Sequence, residues 1–204
     1  NEISPRVLCV GSPTGLHFAF DEQNARLAKV WRGRFLNAEK TWKGRAGGLE
    51  MPASADGITM TSGLPVRPFR SMTEPWPEAA GLDAEARILG RSAHPDGSMT
   101  FRYAVGSLRV EEHVQPIELT VEEGATTSPG TRLGIERTFT VRAPVGTPVM
   151  ARPISARRFE SIGTGRWMLD GGPWPVLEVD EQSARLARVV EGAGGAPATP
   201  AELR

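Results

Sequence analysis

One thirteen-residue stretch occurs twice in this chain. Residues 21–33 read DEQNARLAKVWRG and residues 180–192 read DEQSARLARVVEG, identical at nine positions and offset by 159 residues. Each copy follows a short apolar run, LHFAF at 16–20 and PVLEV at 175–179. In the first run Leu16, Phe18 and Phe20 alternate with His17, Ala19 and Asp21, the period of a strand with one buried face. Asp, Asn and Ser in the following stretch favour a turn, because their side chains bond nearby backbone groups. The repeated unit therefore reads as strand, short loop, strand. A helix competes over the second half, since Leu27, Val30 and Trp31 also fit helical spacing and Ala, Arg, Leu and Lys are good helix formers. Gly33 and Gly192 end either element. The offset is too long for a solenoid, whose repeats run to roughly 20–50 residues.

The rest of the chain has the same texture. Its 23 glycines and 17 prolines are spread through 204 residues, as expected for many short strands joined by turns. Residues 6–11 and 16–20 read as opening strands, 43–57 as a loop and 58–61 as a short strand. The stretch 63–79 carries Pro65, Pro68, Pro75 and Pro77 and reads as extended and irregular. Residues 82–89 fit a short helix or a strand. Asp96-Gly97 is a tight-turn pair, and MTFRYAV after it sets Met99, Phe101 and Tyr103 opposite Thr100, Arg102 and Ala104. Residues 120–131 read as a loop, and RLGIERTFTVRA as another alternating strand. Further strands fit 148–155 and 157–162. The expected fold is all-β: an antiparallel β-sandwich of about ten to twelve short strands with little helix. It occupies residues 1–192 as one domain, and 193–204 have the Gly/Ala/Pro composition of a tail.

Charge and cysteine content narrow the partners. Lys plus Arg equals Asp plus Glu at 24 each, so nothing in the balance predicts attraction to nucleic acid or an anionic surface. The local cluster Arg32, Arg34, Lys40, Lys43 and Arg45, interleaved with Phe35 and Trp42, reads as a solvated strand face. No apolar run is long enough for a membrane-spanning helix. Cys9, the single cysteine, sits in VLCV and reads as a buried thiol. The first residue is Asn rather than Met, so the chain is expected to be either processed or incomplete at its beginning; removal of a signal peptide would explain it.

Catalytic signatures are sparse. His17, His94 and His113 show no metal-ligand spacing with one another or with Cys9. GxSxG, HExxH, GxxxxGK, GxGxxG and CxxCH are absent. Glu111 and Glu112 are adjacent on a strand and point to opposite faces, unlike the facing carboxylates of a glycosidase. Glu122 and Glu123 read as solvated, and a distant pair such as Asp21 with Glu178 has nothing in its favour. The expectation is a chain with no catalytic residues, no cofactor and no metal. Trp76 in EPWPE and Trp174 in GPWPV are flanked by prolines, and rigidly held indoles stack on sugars or anchor partner proteins. The competing reading has the tryptophans plugging the ends of the sandwich. Trp42, Trp76, Trp174, Pro197 and Pro200 are the candidate contacts for a partner or glycan.

The run GLHFAFDEQNARLAKVWRGRFLNAEKTWKGR resembles a β-rich module of bacterial secreted proteins. That module occurs beside c-type cytochrome domains and propellers related to sorbosone or glucose dehydrogenases. The resemblance rests on Phe20, Asp21, Arg26, Leu27, Trp31, Gly33, Phe35, Leu36, Trp42, Gly44 and Arg45. A second stretch, 96–116, is similar through Phe101, Arg102, Tyr103, Val110, Glu111 and Pro116. The chain departs from the pattern where Asn24 or Ala25 stands in place of a cysteine, and it carries neither the cytochrome motif nor a propeller. The resemblance implies a periplasmic setting and a redox neighbourhood. From it follows the expected function: a non-catalytic accessory subunit docking on a larger protein complex, with haem- or pigment-bearing membrane subunits as candidate partners. The alternative is a carbohydrate-binding module of a sugar-oxidising system.

Overall fold

A computed structural model describes residues 6–37, 57–60, 63–71, 73, 74, 76, 86–120 and 131–152, with the backbone of five further strands between 159 and 198. The fold is all-β and antiparallel throughout. The first sheet joins β1 (Val7–Val10), β2 (Leu16–Asp21), β3 (Arg26–Arg32) and β4 (Gly57–Thr59) in chain order. A two-stranded sheet pairs β5 (Val66–Pro68) with β10 (Val149–Ala151). The third sheet holds nine strands. Four form a meander: β6 (Ala86–Ala93), β7 (Met99–Val105), β8 (Leu108–Thr120) and β9 (Thr131–Arg142). The others are β11 (Phe159–Gly163), β12 (Arg166–Leu169), β13 (Val176–Asp180), β14 (Arg185–Val190) and β15 (Ala196–Ala198). Their order is β15-β11-β12-β13-β14-β9-β8-β7-β6, so β14 closes against β9 and the later strands run outward from it.

Both copies of the repeat are hairpins, which settles the competition with helix. The registers are equivalent. Ala19 faces Lys29 and Asp21 faces Arg26 in the first copy, while Glu178 faces Arg188 and Asp180 faces Arg185 in the second. Each hairpin therefore slips its register by one residue at the same place, a bulge beside the loop. One copy lies in the middle of the four-stranded sheet and the other in the middle of the nine-stranded sheet.

The first and third sheets meet through aromatic rings. Phe20 of β2 stacks on Phe101 of β7, with centroids 3.7 Å apart and planes within 4°. Around this contact pack Phe18, Leu27, Leu64, Val66, Tyr103, Leu108, Val114 and Ile135, all buried. Burial of such residues is the main stabilising term for a sandwich of this kind. Outside the core, an ion pair between Arg91 of β6 and Glu22 ties the first hairpin loop to the nine-stranded sheet.

Several expectations need adjustment. β2 is buried on both faces, not one. On its second face His17 is wrapped by Trp31 and Phe35, and Asp21 is enclosed by its own loop. Thr100 and Ala104 of β7 are likewise buried, Thr100 beneath two histidines and Ala104 in register between Arg87 and Arg109. The proline-rich stretch contributes a real strand, β5, because Pro68 stands at its last residue and on a sheet only two strands wide. Residues 86–93 form a strand rather than a helix. Eleven strands have four residues or more and four have three, and β8 and β9 are long at 13 and 12 residues. Pro116 interrupts β8 without breaking it. Its partner on β7 would lie beyond Met99, which pairs with Val114, so β8 has a free edge there and a missing N–H removes no ladder bond. Cys9 is half-buried, and desolvation raises its pKa.

Candidate functional site

Most polar side chains in the interior are committed to structure. Asp21 accepts backbone N–H bonds from Gln23 at 3.0 Å and Asn24 at 3.2 Å through Oδ1. Its Oδ2 accepts from Asn24 Nδ2 at 2.6 Å and Arg26 Nε at 3.3 Å. This carboxylate holds the hairpin loop in the shape that puts Ala25 at a φ of 46°, a left-handed conformation costly for a residue with a Cβ. His17 is equally occupied. Its Nδ1 accepts from the Ser12 N–H at 3.1 Å, so Nε2 carries the proton and donates to the Gly33 carbonyl at 2.7 Å. Trp31 is buried and donates its indole N–H to the Phe35 carbonyl at 2.9 Å.

The largest buried polar group crosses three strands. Glu112 of β8 lies in register between Phe101 of β7 and Phe139 of β9. Its Oε2 accepts from the Tyr103 hydroxyl at 3.0 Å, and its Oε1 accepts from Arg137 Nε at 2.8 Å and meets Nη2 at 2.7 Å. Both charged side chains are fully enclosed, and the Arg137 guanidinium also lies over the Phe139 ring, 4.9 Å from its centre. Desolvation first, and the Glu112 charge second, push the Tyr103 phenol well above its usual pKa of 10. Glu111 points the other way, as expected for its neighbour on a strand, and pairs with Arg102 at 3.1 Å on the solvent face.

Two groupings on the surface are not consumed in this way. The first surrounds Trp76. The Arg152 guanidinium, just past β10, lies over the indole with its centre 4.6 Å from the ring centroid. Phe69, just past β5, meets the same indole at 5.4 Å and a tilt of 48°. Arg152 is fixed through its backbone, whose N–H donates to the Pro65 carbonyl at 2.7 Å. Among the described residues its Nε–H is buried without a hydrogen-bond acceptor. Desolvation and, after it, the charge of Arg67 lower the Arg152 pKa. Glu74 bonds the Arg70 backbone N–H at 2.7 Å. The small sheet thus displays a half-buried indole clasped by an arginine and a phenylalanine, with cationic side chains beside it.

The second grouping lies on the outer face of the nine-stranded sheet. His94 Nε2 is 2.8 Å from Thr100 Oγ1, and the same oxygen is 3.1 Å from His113 Nδ1. The two imidazole centroids are 5.3 Å apart. Asp96 lies in the adjoining turn, its pKa lowered by hydrogen bonds from the Ser98 side chain and backbone.

Of the candidate contacts named from sequence, Trp76 is at the surface of the small sheet, half-buried. Trp42, Trp174 and Pro200 lie outside the described residues. Pro197, in the stretch with tail composition, belongs to β15 and pairs with Glu160 at the edge of the large sheet. Sequence reading passed over Arg152, whose distance from Trp76 in the chain hides their contact. It also passed over the His94–His113 pair, 19 residues apart. The signal for the latter was present in part: a turn at Asp96-Gly97 and an alternating strand after it fix a register from which the pairing follows. No protein-family model, curated protein or solved structure matches the chain.

Proposed function

We propose that the chain is a non-catalytic β-sandwich subunit that docks on a larger protein assembly outside the cytoplasm, with the Trp76–Arg152 corner as its contact. The observation that carries this reading is the guanidinium stacked on a half-buried indole. Tryptophan and arginine dominate the energetics of protein interfaces, and a pair already locked together loses little freedom on binding. Arg67 adds positive charge beside Arg152. The complementary surface therefore offers a carboxylate next to an apolar group.

The test is isolation of the chain from native membranes in mild detergent, with the visible spectrum of the eluate recorded. The expected result is stoichiometric recovery of a haem- or pigment-bearing complex with the native chain, and a loss of at least about tenfold with Trp76→Ala or Arg152→Ala. A colourless monomer from the native chain, or equal recovery with both variants, refutes the assignment. A carbohydrate-binding module is the second reading, favoured by the same half-buried indole. Arg152 already covers one face of that ring, which weighs towards the protein partner. Quenching of tryptophan fluorescence by soluble glycans, abolished by Trp76→Ala, would reverse the preference.

A further inference from the structure

We propose that His94, Thr100 and His113 form a binding site for a divalent transition-metal ion of the Zn2+ or Cu2+ class on the outer face of the nine-stranded sheet. Three elements build it side by side. Thr100 on β7 is directly opposite His113 on β8. His94 precedes the loop Pro95-Asp96-Gly97, which is closed by the Gly97 N–H on the His94 carbonyl at 3.1 Å and the His94 N–H on the Ser98 carbonyl at 3.0 Å. Gly97, at a φ of 83°, supplies the left-handed residue such a three-residue hairpin loop requires. The backbone thus fixes where His94 stands relative to the strand beside it.

The ring nitrogens converge. His94 Nε2 and His113 Nδ1 are both aimed at Thr100 Oγ1, at 2.8 and 3.1 Å. A hydroxyl has one proton, so it donates to one imidazole and accepts from the other. One of the two nitrogens therefore carries a lone pair and the other an N–H, which a shift of tautomer would free for a metal; both face a common point. Imidazole nitrogens bind Zn2+ at about 2.0–2.1 Å, so modest rotation of the two rings about their side-chain torsions would bring both onto one ion. The threonine hydroxyl would stay as a weak third ligand or move aside. His94 is exposed and His113 half-buried, so the ion has a path in and water can complete its shell. Among the described residues no group of three His, Cys, Asp or Glu forms, so the two imidazole nitrogens would be the main protein ligands and water would complete the shell. The field permits a cation there. The neighbouring Arg102 on the same face is paired with Glu111, and the fully exposed Asp96 adds a negative charge beside His94.

The test is calorimetric titration of the full chain with ZnCl2 and, separately, CuCl2, alongside histidine ring nitrogen shifts by NMR with ZnCl2. The expected result is one ion per chain, shifts confined to His94 and His113, and affinity at least about tenfold weaker in His94→Gln and in His113→Gln. Cys9→Ser should bind as the parent does. His94 is exposed, so its substitution leaves the fold intact and keeps the result readable. Absence of heat and shifts with both ions in large excess overturns the proposal, as does binding that survives both histidine substitutions or is lost in Cys9→Ser.

Discussion

Replacing Arg137 with methionine tests the reading of the interior most severely. Glu112 and Arg137 are both fully enclosed, and among the described residues the carboxylate is compensated by their contact at 2.7–2.8 Å and one phenolic hydrogen bond. Removing the guanidinium leaves a carboxylate facing Phe101 and Phe139 in register, with Tyr103 as its remaining partner among the described residues. Breaking a buried pair from one side costs about 3–5 kcal/mol. Domains of this size have a total stability of about 5–15 kcal/mol, so this loss is about a third to a half of a mid-range value. Glu112→Leu alone should also destabilise, because it removes the carboxylate paired with the enclosed guanidinium. The double variant Glu112→Leu/Arg137→Met removes both desolvated charges together. Apolar replacement of a whole buried pair is often neutral, and the Tyr103 hydroxyl left behind costs about 1–3 kcal/mol. The double variant should therefore lie within about 3 kcal/mol of the parent, and the coupling between the two sites should be at least about 3 kcal/mol. Urea unfolding followed by circular dichroism and by tryptophan fluorescence, to which the buried Trp31 contributes, measures all four corners of the cycle. Additive single effects, or a cost below about 1.5 kcal/mol for Arg137→Met, would refute the placement of this pair in the core.

Two further outcomes follow from the same interior. Tyr103 is the chain's only tyrosine, so absorbance at the phenolate band reports on it alone. At one pH unit above its usual value an exposed phenol is about nine-tenths ionised, whereas the folded chain should show almost none. Because the folded pKa is raised, the associated stability is intact below about pH 10 and declines as pH rises from there towards the folded value; phenolate appearing before unfolding would contradict this. Cys9, raised by desolvation on the half-buried edge strand, should alkylate far more slowly in the native chain at mildly alkaline pH than in urea, and equal rates would show the edge to be open.

What the sequence conveyed and what it withheld have a common physical origin. Strand periodicity is local, so the β-fold, the repeated hairpin and the opposite faces of Glu111 and Glu112 were readable from short windows. Burial of the second face of β2 was not, since it depends on Phe35 folding back beside His17 and on a loop closing over Asp21. Alternation placed Thr100 on the face opposite Phe101 but could not show its burial, because the histidines that cover it come from a turn and a neighbouring strand. The prolines around Trp76 marked it as a candidate contact, but Arg152 reaches it only through the pairing of β5 with β10, two strands of three residues that leave almost no pattern in the chain.

The equivalence of the two hairpins bears on how the chain reaches this structure. Hairpins close in microseconds, long before contacts between distant strands are made. Two units with the same register and the same bulge then compete for two berths, one beside β1 and β4, the other beside β12 and β9. Backbone pairing cannot distinguish them. Discrimination falls to the side chains that differ, among them the open ends of the hairpins, where His17 faces Trp31 in one copy and Val176 faces Val190 in the other. The aromatic pair is thus an address label as well as a packing contact, and erasing it invites the hairpins to exchange places.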